Sequence, residues 1–208
     1  MSSITPALPG ISTPPAIAAS ADLVSSLYLL TVWQFDQMIE DGLFAEDDPV
    51  ELIEGLLVTK MSRKRPHSVA GKKGLRVLSR IIPGGWHVAK EDPIVASDWS
   101  KPEPDLAIVR GLGEDHLERD VMAADVPLVI EIAESGLSLD RTDQARVYSL
   151  SGIPAYWIVN LVDLQVEVYT DPSPGGYQSS QVLTPGQHVP VVIDGSEVNR
   201  IAVADILP

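Results

Sequence analysis

Two acidic residues stand where apolar sequence surrounds them. Asp105 follows Pro104 and opens the run Leu106-Ala107-Ile108-Val109, and Glu131 lies inside Leu128-Val129-Ile130-Glu131-Ile132-Ala133. A carboxylate in a strand buried on both faces costs several kcal/mol unless it is paired or holds a metal. If the two strands are neighbours, both side chains converge at one end of a sheet. Two such oxygen donors suit Mg²⁺, which keeps several waters and binds phosphate as well. A metal held this way can deprotonate a water and stabilise charge on a phosphodiester in its transition state. Each acid also has a plainer reading. Asp105 could cap a turn after Pro104, and a buried arginine could neutralise Glu131, with Arg141 and Arg146 the nearest candidates in sequence.

The elements that must position these acids are expected as follows. Thr31 caps a short helix through Met38 and Ile39, ended by Gly42. Pro49 to Met61 reads as a hairpin turning at Glu54-Gly55. Pro66 in a first turn, followed by Val69, Leu75, Val77, Leu78 and Ile81, predicts a helix ended by Pro83-Gly84-Gly85. Trp86–Ala89 and Pro93–Ala96 read as short strands. Leu106–Val109, Pro127–Ile132 and Ala155–Val159 are apolar enough for central strands. Ser138 is expected to cap a helix running to Leu150. Leu164–Tyr169 alternates and is expected to be half exposed. The last 35 residues read as turns, one or two edge strands and a short terminal helix. The order describes an α/β (mixed α+β) domain, a mixed sheet flanked by helices. Residues 1–27, rich in Pro, Ser, Thr and Ala with Asp22 as their one charge, are expected to be a flexible N-terminal tail before a domain over 28–208. They lack the basic start and apolar stretch of a secretory signal.

Charge is unevenly placed along the 208 residues. The net charge is −14, from 15 Lys and Arg against 29 Asp and Glu. No Lys or Arg precedes Lys60, yet eight fall between Lys60 and Arg80, a stretch with no acidic residue. An acidic body repels phosphate, whereas a segregated basic stripe can contact it. Arg63, Lys64, Arg65, Lys72, Lys73 and Arg76 are therefore candidate nucleic-acid contacts, against the plainer reading of a solvated helix face. There is no cysteine, which excludes disulfides, thiol chemistry and Cys-ligated metal sites and fits a cytoplasmic location. No apolar run approaches the ~20 residues of a membrane helix. His67, His87, His116 and His188 show no zinc spacing, and neither a phosphate loop nor a serine nucleophile elbow is present. Tyr148, Tyr156 and Trp157 read as core.

Several motifs follow one another in order: Glu51-Leu-Ile-Glu-Gly, Pro66-His67, Glu103-Pro-Asp105-Leu-Ala-Ile-Val, Val129-Ile-Glu131-Ile-Ala, then Asp140-Arg, Tyr148 and Gly152-Ile-Pro-Ala-Tyr-Trp157-Ile-Val. Together they resemble the Uma family of restriction endonucleases, a branch of the PD-(D/E)XK nuclease superfamily, over roughly Leu30 to the C-terminus. The resemblance implies a restriction-endonuclease-like core and a Mg²⁺- or Mn²⁺-dependent endonuclease acting on DNA. By it Asp105 and Glu131 hold the metal, Glu51 adds a third carboxylate from the early hairpin, and His67, at the start of the first core helix, joins the candidate nucleic-acid contacts. Two departures stand out. The superfamily's lysine position, two after the glutamate, is Ala133. The family's substitute, on the following helix in a pattern like Asp-x-x-x-Lys-x-x-x-Tyr, falls on Gln144. Glutamine can orient water but supplies no charge. The family's Ser-Pro turn after the strand is replaced by Glu134-Ser135.

Three functions are thus weighed. The leading one is a DNA endonuclease in which Glu51, Asp105, Glu131 and Gln144 act together, and double-strand cutting favours a homodimer, with Leu164–Tyr169 as one candidate edge. The second is a catalytically impaired nuclease fold serving as a nucleic-acid-binding or regulatory module, suggested by Gln144 and the acidic charge. The third, a metal-independent carboxylate hydrolase on glycosides, lacks the aromatic sugar platform it would need.

Overall fold

Apolar residues crowd Leu106–Arg110, Leu128–Ala133 and Ala155–Asn160, and these become central strands of a six-stranded sheet in the computed structural model, which describes residues 26–44, 48–60, 64–134 and 136–208. Residues 1–25 of the expected tail lie outside that set. In chain order the elements are α1 (Val32–Glu40), β1 (Val50–Ile53), β2 (Leu56–Thr59), α2 (Arg65–Ile81), β3 (Trp86–Ala89), β4 (Ile94–Val95), β5 (Leu106–Arg110), β6 (Val121–Met122), β7 (Leu128–Ala133), α3 (Leu137–Leu139), a π turn (Asp140–Gln144), α4 (Ala145–Leu150), β8 (Ala155–Asn160), β9 (Gln165–Thr170), β10 (Ser179–Leu183), β11 (His188–Ile193) and β12 (Ser196–Ala202). The sheet order is β10-β9-β8-β7-β5-β3. Only β7 and β8 run parallel; the other neighbours are antiparallel. This is the mixed, helix-flanked sheet expected from sequence.

Side chains alternate between the two faces of each strand, and each face has its own core. Leu106, Ile108, Ile130, Ile132 and Trp157 pack with Ala70 and Leu78 of α2 and with Val189, Val191 and Ile201 of the β11–β12 hairpin. Ala107, Val109, Val129, Tyr156 and Ile158 pack with Ala145 and Tyr148 on the opposite side. Tyr148, Tyr156 and Trp157 are buried, as read from sequence.

Local chemistry explains the flanking elements. Thr31 and Gln34 cap each other at the start of α1, satisfying two otherwise orphaned N–H groups. The β1–β2 hairpin turns through Glu54 (φ 49°) and Gly55 (φ 79°), and two left-handed residues make the loop that matches the strands' twist. A Cβ on Gly55 would also lie 2.6 Å from the Leu29 Cβ. In α2 the buried positions are Ala70, Gly71, Gly74 and Leu78. Val69, expected on the apolar face, is exposed, because glycines let this face approach the sheet closely. A Cβ on Gly74 would meet Leu106 Cδ1 at 2.7 Å.

Three expectations are corrected. The helix after β7 starts at Leu137, without a side-chain cap from Ser138, and widens into the π turn before α4. β9 is not a half-exposed edge: β10 pairs along it, and Val166, Glu167 and Val168 are buried. Leu164–Tyr169 is therefore not available as an edge for a dimer. The C-terminal stretch contains three strands, not one or two, and its terminal helix is a single 3₁₀ turn over Val203–Asp205. Among the described residues, no helix is long and apolar enough to cross a membrane.

Candidate active site

Leu106 pairs with Ile130 across the β5–β7 ladder. Asp105, one residue before β5, therefore stands opposite Glu131, one residue further along β7, and alternation turns both toward the Tyr148 face. The Asp105 amide donates to Glu131 Oε2 at 3.3 Å, and the Ile132 amide donates to Asp105 Oδ2 at 2.8 Å. The Tyr148 hydroxyl donates to Glu131 Oε1 at 2.8 Å. His67, in the first turn of α2, places Nε2 3.0 Å from Asp105 Oδ2. Each acid is thus fixed by backbone or ring donors on rigid elements, as a precise site requires.

The hairpin brings in the third acid. Lys101 donates its amide to the Leu52 carbonyl at 2.8 Å, which lays β1 against the segment leading to Asp105. Glu51 Oε2 then accepts the Glu103 amide at 3.1 Å. From the π turn, Gln144 Nε2 lies 3.5 Å from Glu51 Oε1, while Gln144 Oε1 is buried without a hydrogen-bond partner. Asp140, four residues earlier in the same turn, adds a fourth carboxylate. All line one cavity of about 90 Å³, together with Lys60, its partner Glu103, Glu134 and His67.

Burial and like charge dominate the electrostatics. Burial, then Asp105, Asp140 and Glu51, push Glu131 well above the usual carboxylate range. Asp140 is raised from 3.8 to about 7, by burial first and then by Asp105 and Glu51. Burial also raises Glu51, against the pull of the Lys60 ammonium. Arg141 and Arg146 do not neutralise Glu131. Arg141 forms a two-pronged pair with Glu167 at 2.6 and 2.9 Å, and Arg146 reaches Glu54 at 2.6 Å and Asp143 at 2.8 Å.

The expected basic stripe divides. Lys64 is exposed, 3.7 Å from Glu134. Lys72 lines a second cavity, of about 260 Å³, with Ser68 and Lys90, and Asp105 lies between this cavity and the first. Arg65 and Arg76 are exposed on α2. Lys73 instead donates to the carbonyl of Leu207. Arg63 lies outside the described residues. Three site residues carried no clear signal in the sequence: Lys60, visible there only as one charge in a run; Asp140, visible only as an alignment anchor; and the Tyr148 hydroxyl, hidden inside a core tyrosine. The one usable clue was that Asp140 lies one helical turn before Gln144.

A hard divalent cation fits this donor set. Glu51, Glu131 and Asp140, raised by burial and neighbouring charge, and the unpartnered Gln144 amide oxygen would be relieved by a bound cation. No group of three or more His, Cys, Asp or Glu side chains forms a ready-made cage among the described residues. Mg²⁺ does not need one, since one or two carboxylates plus waters suffice.

Comparison with known proteins bears on the family and the fold. The Uma2 family model, described as "Putative restriction endonuclease", matches residues 32–201. A solved structure described as "a putative nuclease belonging to DUF820 from Anabaena variabilis ATCC 29413" superposes with a TM-score of 0.66 at 18% identity, covering 85% of this chain and 97% of that one. At that identity the likeness shows a shared fold. No curated protein matches.

Proposed function

The chain belongs to the Uma2 restriction-endonuclease family, and from that premise we propose that it is a metal-dependent endonuclease hydrolysing DNA phosphodiester bonds, with Asp105 and Glu131 as the ligands of Mg²⁺ or Mn²⁺. The observation that carries this reading is the placement of Asp105 opposite Glu131 at the end of the sheet, in one cavity with Glu51 and Asp140. The ion would supply Lewis acidity at the scissile phosphate and lower the pKa of a bound water. The protein's own groups do the positioning. Tyr148 and the Asp105 amide hold Glu131, while His67 and the Ile132 amide hold Asp105. Glu51 and Gln144 face the same space and can orient the attacking water. Lys64, Lys72, Arg65 and Arg76 offer cations to the flanking phosphates.

Titration of Mg²⁺ and Mn²⁺ into the native protein and into Asp105→Ala/Glu131→Ala, paired with plasmid cleavage, tests this. The reading requires metal binding and cleavage in the native protein and loss of both in the double variant. Binding that survives the substitutions, or no cleavage with metal bound, overturns it. Gln144 favours a second reading, a nuclease fold that binds nucleic acid without cutting, since the amide supplies no charge. Cleavage gained by Gln144→Lys from an inactive native protein would establish that reading.

A further inference from the structure

A phosphodiester attacked by water gathers negative charge on its non-bridging oxygens, and a cavity walled by carboxylates opposes that charge. A cation besides the metal is therefore needed on the protein side, and Gln144 cannot be it. Among the described residues, one lysine lines the cavity, Lys60. Its side chain is only 16% exposed, unusual for a lysine. It leaves β2 at a fixed point, because its amide donates to the Pro49 carbonyl at 2.8 Å. Its ammonium donates to Glu103 twice, to Oε1 at 2.8 Å and to the carbonyl oxygen at 2.6 Å. An ammonium has three N–H donors, so two bonds to Glu103 leave the third for the cavity that Lys60 lines. Glu51 links the two positions: Gln144 approaches its Oε1 by hydrogen bond, while the Lys60 charge acts on the same carboxylate.

We propose that Lys60, entering from the hairpin, is the catalytic cation of this site, contacting a non-bridging oxygen of the scissile phosphate and supplying the charge that Gln144 lacks. This rests on the nuclease reading above. Water adds to phosphorus through its oxygen as the bond to the leaving sugar oxygen breaks. The water's proton reaches the leaving oxygen by way of solvent, and Lys60 keeps all three of its own protons throughout. Its contribution is charge and position.

The alternative role for Lys60 is a lock that holds Glu103, and with it the segment that presents Asp105. Three variants separate the two, each read by turnover on plasmid DNA with Mn²⁺ and by Mn²⁺ titration without DNA. Lys60→Met is expected to lower kcat on the order of 100-fold, the loss typical when one donor to developing charge is removed. It should also bind Mn²⁺ several-fold tighter, because a positive charge has left the neighbourhood of the ion. Glu103→Gln weakens the lock, turning the ion pair into a neutral hydrogen bond while the bond to the backbone carbonyl remains, and keeps the ammonium, so it should lose far less activity than Lys60→Met. Lys60→Met/Gln144→Lys should regain part of the lost turnover, because the charge returns to the other side of Glu51. If Lys60→Met cuts within threefold of native, or if Glu103→Gln is as damaged as Lys60→Met, the proposal is overturned and the nuclease reading stands. A native protein that binds Mn²⁺ and cuts no DNA overturns both. Should Lys60→Met fail to fold, Lys60→Arg carries the test: it keeps the charge and the bonds to Glu103, and turnover below one hundredth of native with unaltered Mn²⁺ binding would overturn the proposal.

Discussion

Replacing Asp140 by asparagine should stabilise the metal-free protein at alkaline pH and have little effect in acid. Asp140 is 8% exposed, and its pKa is raised from 3.8 to about 7 by burial, then by Asp105 and Glu51, against a small pull from His67. The native carboxyl therefore keeps a proton that the unfolded chain gives up between those two values. Folding stability falls as pH rises through that window, and the whole loss is felt above pH 7. At about 1.4 kcal/mol per pKa unit the loss is about 4 kcal/mol. Asparagine has no proton to lose, so Asp140→Asn should be more stable than native by about 4 kcal/mol at pH 8 and by about 1 kcal/mol at pH 4.5. For a domain of this size the pH 8 gain corresponds to roughly 8–16 °C in Tm. Urea unfolding in EDTA, followed by the fluorescence of buried Trp157, measures both numbers. Millimolar Mg²⁺ should then narrow the gap at pH 8, because a bound cation compensates the native carboxylate and has less to compensate in the variant. A gain equal at the two pH values, or no gain at pH 8, would refute the reasoning. It would mean that the four acids do not repel one another as their placement implies.

Arg141→Ala should cost about 2–3 kcal/mol at pH 7, because it strands Glu167 against the sheet with its partner removed. Burial works to raise the Glu167 pKa, yet Arg141, Asn160 and Tyr169 hold it down to about 2. The pair's contribution is therefore complete above pH 4.5 and lost as pH falls through about 2, so the gap between the urea midpoints of the two proteins should have roughly halved by pH 3 and close only below pH 2. Gly74→Ala should destabilise by roughly 1–3 kcal/mol, because overpacking against buried Leu106 outweighs the ~1 kcal/mol that alanine gains over glycine in a helix. A higher Tm for this variant would show that α2 can move away from the sheet.

What could be read from the sequence follows from where the information lies. Asp105 and Glu131 were legible because each breaks a short apolar run, and because a period of two fixes their face once the strands pair. The hairpin was legible because Glu54-Gly55 supplies two left-handed residues in a row. The burial of β9 was not, since its alternation is real and only the distant β10 decides whether an edge exists. Glu167 looked like a solvent-facing residue for the same reason; its partner Arg141 lies 26 positions away on a helix whose π turn no local pattern announces. Lys60 was lost among neighbouring charges. Nothing in its sequence environment separates a lysine that enters a cavity from Lys64, four residues on, which remains exposed.

The distribution of arginines gives the acidity of the site its meaning. Arg141 lies within the π turn that carries Asp140 and Gln144, and Arg146 just after it, close enough in sequence to have paired with the site's carboxylates. Both are committed elsewhere, to Glu167 and to Glu54 with Asp143. Those pairs tie the π turn and α4 to the sheet and to the hairpin, so the elements carrying Gln144, Asp140 and Glu51 are held together by charges that stay outside the cavity. Inside it, Glu131 receives a tyrosine hydroxyl and a backbone amide, donors that orient a carboxylate without cancelling its charge. A fold selected only for stability would place an arginine or an apolar residue at Glu131, since a buried unpaired acid is among the costliest groups to keep. Keeping four acids together while the nearby guanidinium groups serve as outer ties leaves unspent negative charge, which a divalent cation can claim and which one lysine, entering from the hairpin, can balance at the phosphate.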